Sequence, residues 1–219
     1  ILRAQGRDGL ADLVDAGELA EDEELLRGLF GLLVLAHYRT RPSDLVRLLD
    51  DPATRLLAAF EDGVPTGCVL TVDEGGLPPA LARAVATGRR RPRGQHGAGI
   101  LAAQLGLAAG ATLPSRRIVR IVVHPARQRT GLGRALLEAA ATDAGAAAFL
   151  SSSFGAEPGL VRFWRACGFT PVRLGTTRDA ASGEVPALVL RARTAAGTAL
   201  LRAARRAWLR ELQIGRAHV

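Results

Sequence analysis

Residues 117–141 are RIVRIVVHPARQRTGLGRALLEAAA. Arg117 to Val123 alternates β-branched residues as a strand does, and His124-Pro125 breaks it. Gln128-Arg129-Thr130-Gly131-Leu132-Gly133 follows, and an Ala/Leu-rich helical pattern begins at once. A strand therefore feeds a glycine-bearing loop at a helix N-terminus. The first N–H groups of a helix lack intrahelical acceptors and sit at the positive end of its dipole, which favours a diphosphate. Gly131 and Gly133 let the backbone approach phosphate oxygens with no Cβ in the way. A dinucleotide loop would need GxGxxG and an acid about 20 residues on. The spacing here is QxxGxG after a proline, which disfavours that fold.

Working outward, Leu25, Leu26, Leu29, Leu32 and Leu33 recur at helical intervals and predict a helix over Asp22 to Tyr38, ended by Pro42. Ser43 is an N-cap for a short helix from Asp44 to Leu49. Arg55 to Glu61 and Thr66 to Asp73 read as strands joined through Asp62-Gly63, a hairpin signal. Helices are expected near Leu77 to Thr87, Ala98 to Leu105, Gly131 to Thr142 and Pro158 to Cys167. Strands are expected over Ala147 to Ser153, Phe169 to Leu174 and Val185 to Ala192. Mixed elements with a hairpin imply an α+β fold, a partly antiparallel mixed sheet flanked by helices. Beyond it, Leu200, Leu201, Ala204, Trp208 and Leu212 lie at helical spacing with arginines opposite, a C-terminal amphipathic helix over Thr194 to Gln213. The expected division is an acidic leader or linker at 1–21, a main domain at 22–193, the start of a further region at 194–213 and a sequencing artefact at 214–219.

The chain has 219 residues with a formal net charge of +8, and all of its basic residues are arginine. Without lysine there is no P-loop GK[ST] signature and no Schiff-base chemistry. Residues 1–62 carry seven arginines against thirteen acids, and the remainder carries 22 against eight. A basic body suggests a polyanionic partner. Arginines cluster at Arg89, Arg90, Arg91 and Arg93, at Arg116, Arg117 and Arg120, and in the tail. The two cysteines, Cys68 and Cys167, have no CxxC partner, so no disulfide framework and no metal site is expected, and two buried thiols suit a cytoplasmic location. The apolar run Leu29 to Ala36 is far shorter than the ~20 residues of a membrane span. A sequence without Met, opening on Ile1, is expected to be a fragment.

The strand with QxxGxG resembles motif A of the GCN5-related N-acetyltransferases, which bind acetyl-CoA, and Trp164 to Phe169 (WRACGF) is similar to the end of that fold's later helix. The resemblance sharpens toward the tRNA(Met) cytidine acetyltransferase family through AHYRTRPSDL (Ala36 to Leu45), VDEGGL (Val72 to Leu77), RRPRG (Arg90 to Gly94), RIVRIVVHPARQ, SFG (Ser153 to Gly155), RFWRACGF (Arg162 to Phe169) and RDAASGE (Arg178 to Glu184). Together these cover about residues 22–192. The resemblance implies the acetyltransferase fold, acetyl-CoA as cofactor, and transfer to the exocyclic amine of the wobble cytidine of elongator tRNA(Met), forming N(4)-acetylcytidine. It also implies an ATP-driven helicase-like module that this chain lacks, and a tRNA-binding region beginning with the tail helix. On the matching positions, Gln128, Arg129, Thr130, Gly131, Leu132, Gly133 and Arg134 line the diphosphate. Ile121, Val122 and Val123 offer an edge to the pantetheine, and an N–H near Val123 faces the oxyanion.

Cytosine's amine is a weak nucleophile, so a base of near-neutral pKa is needed, and imidazole suits it. His37 matches the family's catalytic histidine; a polar residue at a helix C-terminus is the alternative. His124 reads as structural, and His96 as an RNA contact or plain surface. Arg89, Arg90, Arg91 and Arg93 are the RNA-binding candidates, with solvated surface the alternative. Trp164 stands where many relatives carry the tyrosine that protonates the departing thiolate, which leaves an unassisted thiolate or Tyr38. Gly159 and Ala166 stand where relatives often have Glu and Arg. Two rival readings are acetylation of a protein or small-molecule amine, and a non-catalytic RNA-binding module. Nothing in the sequence speaks to oligomeric state.

Overall fold

The computed structural model describes residues 12–14, 16–36, 50–179 and 183–216. In chain order the elements are β1 (Asp12–Val14), α1 (Ala16–Glu21), α2 (Glu23–Ala36), β2 (Thr54–Glu61), β3 (Val64–Glu74), α3 (Pro79–Ala86), α4 (His96–Ala103) and α5 (Ala109–Thr112). β4 (Ser115–Val123), a 3-10 turn (Pro125–Arg127), α6 (Leu132–Asp143), β5 (Phe149–Gly155), α7 (Pro158–Ala166), β6 (Thr170–Leu174), β7 (Pro186–Ala192) and α8 (Ala195–Arg216) follow. These form two compact units, one of residues 1–72 with 118–145 and the other of residues 73–117 with 146–219.

In the first unit the strand order is β1-β2-β3-β4. β1 and β2 pair antiparallel with Leu13 opposite Leu57, and β2 and β3 form a hairpin. Asp62 (φ 50°) and Gly63 (φ 74°) both sit in the left-handed region, as a two-residue hairpin turn requires. On α2 the 3–4 spacing buries Leu25, Leu29, Leu32 and Leu33 against Leu56, Phe60, Leu70 and Val122. Each such leucine contributes roughly 1.5–3 kcal/mol. The Asp22 carboxylate starts that helix by accepting the Leu25 N–H at 2.9 Å. Gly67 is held small: a Cβ there would lie 3.0 Å from the Val122 carbonyl and 3.1 Å from Leu136.

In the second unit β7 pairs antiparallel with both β5 and β6, giving the order β5-β7-β6. Phe149, Val172, Leu188 and Leu190 from these strands pack with Leu101 of α4 and with Leu200 and Ala204 of α8. α8 enters so close to the chain before β5 that a Cβ on Gly197 would stand 2.0 Å from the Ala148 carbonyl.

The observed elements follow the expected order with shifts of a few residues at their ends. Within the stretch expected to be an acidic leader or linker, the described residues form β1 and α1, and Val14 and Leu19 are buried in the first unit's core. β1 has three residues and α1 six, too few to show a period. α5 and the 3-10 turn are likewise too short to announce themselves. The expected helix at 44–49, with its cap Ser43, lies outside the described residues.

Candidate functional site

β4 ends where the His124 N–H donates to the Thr66 carbonyl at 2.8 Å. Nδ1 of His124 then accepts the Ala126 N–H at 3.3 Å, capping the 3-10 turn, so this ring is engaged in shaping the bend. The Gln128 side chain turns back and donates from Nε2 to the Val123 carbonyl at 3.3 Å, and the Thr130 hydroxyl donates to the Arg127 carbonyl at 2.7 Å. Arg127 is held by an ion pair with Glu61 of β2. These bonds fix a loop in which Arg129 (φ 64°) and Gly131 (φ 94°) are left-handed and Gly131 caps α6 with no side-chain hydrogen bond.

The outcome is a row of donors. Among the described residues nothing accepts the N–H groups of Arg129, Thr130, Gly131, Leu132, Gly133 or Arg134. A Cβ on Gly131 would meet nothing within 4 Å, so the cradle opens to solvent. Arg129 and Arg134 are exposed and have no ion-pair partner among the described residues. Free amides, a helix N-terminus and two loose guanidiniums suit the diphosphate of coenzyme A. Ile121, Val122 and Val123 form the last three residues of β4 beside this loop, and the Val122 side chain is in the core.

Arg89, Arg90, Arg91 and Arg93 all lie exposed in the loop between α3 and α4. That loop is anchored by a buried acid that sequence reasoning passed over. Glu74, at the end of β3, accepts the N–H groups of His96, Gly97 and Ala98 at 2.8–3.0 Å, and the Arg117 Nε at 2.6 Å. Three amides and a guanidinium thus compensate a carboxylate removed from water. The Gly75 N–H donates to the Gln95 side chain at 2.7 Å, a second tie. VDEGGL was the available signal, an acid ahead of two glycines, but its partners lie 22 to 43 residues away. Partial burial and then the Arg117 guanidinium hold the His96 pKa below its ordinary value, against the pull of Glu74, although the residue as a whole is exposed. His96 is thereby disfavoured as a source of positive charge for a phosphate.

Trp164 packs inside an aromatic cluster, stacked on Phe154 at 5.5 Å and edge-on to Phe169 at 4.8 Å. It has no hydroxyl to give a thiolate and acts here as core. Gly159 leaves space for the Glu157 carboxylate, which accepts the Gly159 and Leu160 N–H groups at 2.8 Å and caps α7. His37 and Tyr38 lie outside the described residues. Among the described residues no group of three or more His, Cys, Asp or Glu side chains could hold a metal ion, and no helix is long and apolar enough to cross a membrane.

The GNAT acetyltransferase 2 family profile matches residues 28–143 and 135–194. Among curated proteins, the chain is 44% identical over 190 residues to a tRNA(Met) cytidine acetyltransferase of Salmonella typhimurium, covering 87% of this chain and 28% of that protein. It is 43% identical over 198 residues to the protein of the same name from Nitrosococcus halophilus, covering 90% and 26%. The chain thus spans about a quarter of the length of these relatives. Among solved structures, the Escherichia coli ribosomal-protein-S18-alanine N-acetyltransferase superposes with a TM-score of 0.53 at 14% identity, covering 83% of this chain and 92% of that one. A Bacillus subtilis acetyltransferase in complex with CoA superposes with a TM-score of 0.52 at 14% identity, covering 84% and 98%. These likenesses establish the acetyltransferase fold.

Proposed function

The chain belongs to the GNAT acetyltransferase 2 family, and on that premise we propose that it moves an acetyl group from acetyl-CoA to the exocyclic amine of a cytidine in tRNA, the wobble cytidine of elongator tRNA(Met). The observation that carries the donor half is the row of acceptor-free amides from Arg129 to Arg134. The support for the acceptor half is the 43–44% identity to proteins named as tRNA(Met) cytidine acetyltransferases, together with the exposed arginines of the α3–α4 loop.

Acetyl-CoA supplies the acyl group as a thioester. The loop amides, with Arg129 and Arg134, hold its diphosphate, and Ile121, Val122 and Val123 guide the pantetheine. A main-chain N–H near Val123 stabilises negative charge developing on the carbonyl oxygen. His37 takes a proton from the cytidine amine as the N–C bond forms, and the C–S bond then breaks to release the thiolate. Arg89, Arg90, Arg91 and Arg93 hold tRNA phosphates.

The test is acetyl transfer from labelled acetyl-CoA to tRNA, read as acetylated cytidine after nuclease digestion, with free amines as competing acceptors. Cytidine acetylation is expected, and label only on the amines would refute the reading. His37→Ala is expected to lower the rate by about 10²–10⁴-fold with coenzyme A binding unchanged by calorimetry. A near wild-type rate removes His37 from the mechanism.

A further inference from the structure

Within the first unit, the β2–β3 hairpin carries a bulge next to the diphosphate loop. Ala59 stands opposite Gly67 and Phe60 opposite Pro65, so Thr66 is the extra residue on β3. A bulge bends its strand and re-aims the side chains beside it. The Thr66 hydroxyl donates to the Ala59 carbonyl at 3.3 Å, and the Thr66 carbonyl accepts the His124 N–H where β4 gives way to the loop. Along β2, Ala58 and Phe60 face the core that α2 covers. Ala59 lies on the opposite face with its partner Gly67, where a Cβ would meet Leu132 and Leu136 of α6. Glu61 follows two residues later on that same face. There its carboxylate accepts both Nε of Arg127, at 2.6 Å, and Nη2. The Arg127 carbonyl in turn accepts the Thr130 hydroxyl at 2.7 Å. The contacts that start in the hairpin therefore end inside the row of acceptor-free amides.

We propose that Glu61 is a positioning residue for acetyl-CoA: through its fork with Arg127 it braces the diphosphate loop against the bulged hairpin and holds the amides of Arg129 to Arg134 ready for the ligand. Charge alone argues against an acid here, because a carboxylate beside the site of a multiply charged anion repels it. Geometry supplies the reason for its presence. A carboxylate that takes two N–H donors of one guanidinium fixes the orientation of both groups. Ordering the loop in advance removes a cost otherwise met on binding. The pair also occupies Arg127, which leaves Arg129 and Arg134 as the loop cations without an ion-pair partner among the described residues. The inference rests on the reading of this loop as the diphosphate site.

The test is calorimetric titration of the chain with coenzyme A at low and high salt, for wild type, Glu61→Gln, and the exchanged pair Glu61→Arg with Arg127→Glu. Glu61→Gln keeps the side chain's length but removes its charge and leaves one acceptor for two guanidinium donors. A brace predicts binding about fivefold weaker, the upper end for an exposed ion pair. A carboxylate acting only as a nearby negative charge predicts tighter binding, so the sign of the change separates the two. The difference should shrink below about twofold at about 1 M salt, where charges are screened within about 3 Å. The exchanged pair restores the fork at the same net charge and should recover most of the affinity. In steady state, Glu61→Gln should raise KM for acetyl-CoA by a larger factor than it lowers kcat. Equal or tighter binding by Glu61→Gln overturns the proposal, as does an exchanged pair that binds no better than Glu61→Gln. If wild type takes up no coenzyme A, the diphosphate reading falls and the brace with it. If wild type binds and Glu61→Gln binds as well, the brace falls alone.

Discussion

Cys68 shows how a side chain with no part in the chemistry still sets a pH limit. Buried completely in the first unit's core, its thiol is pushed up to about 12 by desolvation. In the unfolded chain it would ionise near 8.5. Folded protein therefore keeps the proton that unfolded chain releases, and stability is full below that value and declines as pH rises toward 12. Urea titrations between pH 7 and 10.5 are expected to show this decline, reduced in Cys68→Ala. Glu157 acts with the opposite sign. Its carboxylate is stabilised by the Gly159 N–H, then by the Leu160 N–H, so its pKa is lowered. The cap's contribution is present above the ordinary glutamate value of about 4.3 and is lost as pH falls through the folded pKa. Melting curves from pH 6 to pH 3 should show wild type losing an advantage over Glu157→Gln, and parallel curves would deny the cap a role.

At the level of elements, Gly131 and Glu74 make contrasting predictions. Gly131→Ala meets no atom, so its whole effect is backbone strain at φ 94°. About 1–2 kcal/mol is expected, measured as a lower melting temperature. Coenzyme A binding should weaken by up to roughly tenfold if the loop flattens to relieve the strain. Glu74→Gln removes one partner of a buried ion pair and weakens the start of α4, so about 3 kcal/mol should be lost in denaturant titration. The elements themselves were largely legible: the Asp62-Gly63 hairpin, the leucine spacing of α2 and the strand-loop-helix at 117–141 all carry local signals. β1 was not, because its three residues become a strand only by pairing with Ala58, Leu57 and Leu56. The same limit hid Glu74, whose partners are reached only through the fold.

Across the whole molecule the uneven charge gives a measurable consequence. Replacing Arg89, Arg90, Arg91 and Arg93 together by Ala should reduce the salt slope of tRNA affinity by about 0.7–0.9 for each phosphate no longer neutralised, up to roughly 3. An unaltered slope would make the loop plain solvated surface. The loop between β4 and α6 was legible because Gln128, Gly131 and Gly133 fall within six residues of one another. The arginine-bearing surfaces share one chemical property. Every exposed cation on them is a guanidinium, and the chain holds no ε-amine anywhere. Thioesters acylate unprotonated amines, whereas guanidinium, with a pKa above 12, stays protonated and inert. Under the proposed function, a thioester donor working beside these surfaces would find no ε-amine on them to acylate, so a polyanion's grip on them should not fade with turnover.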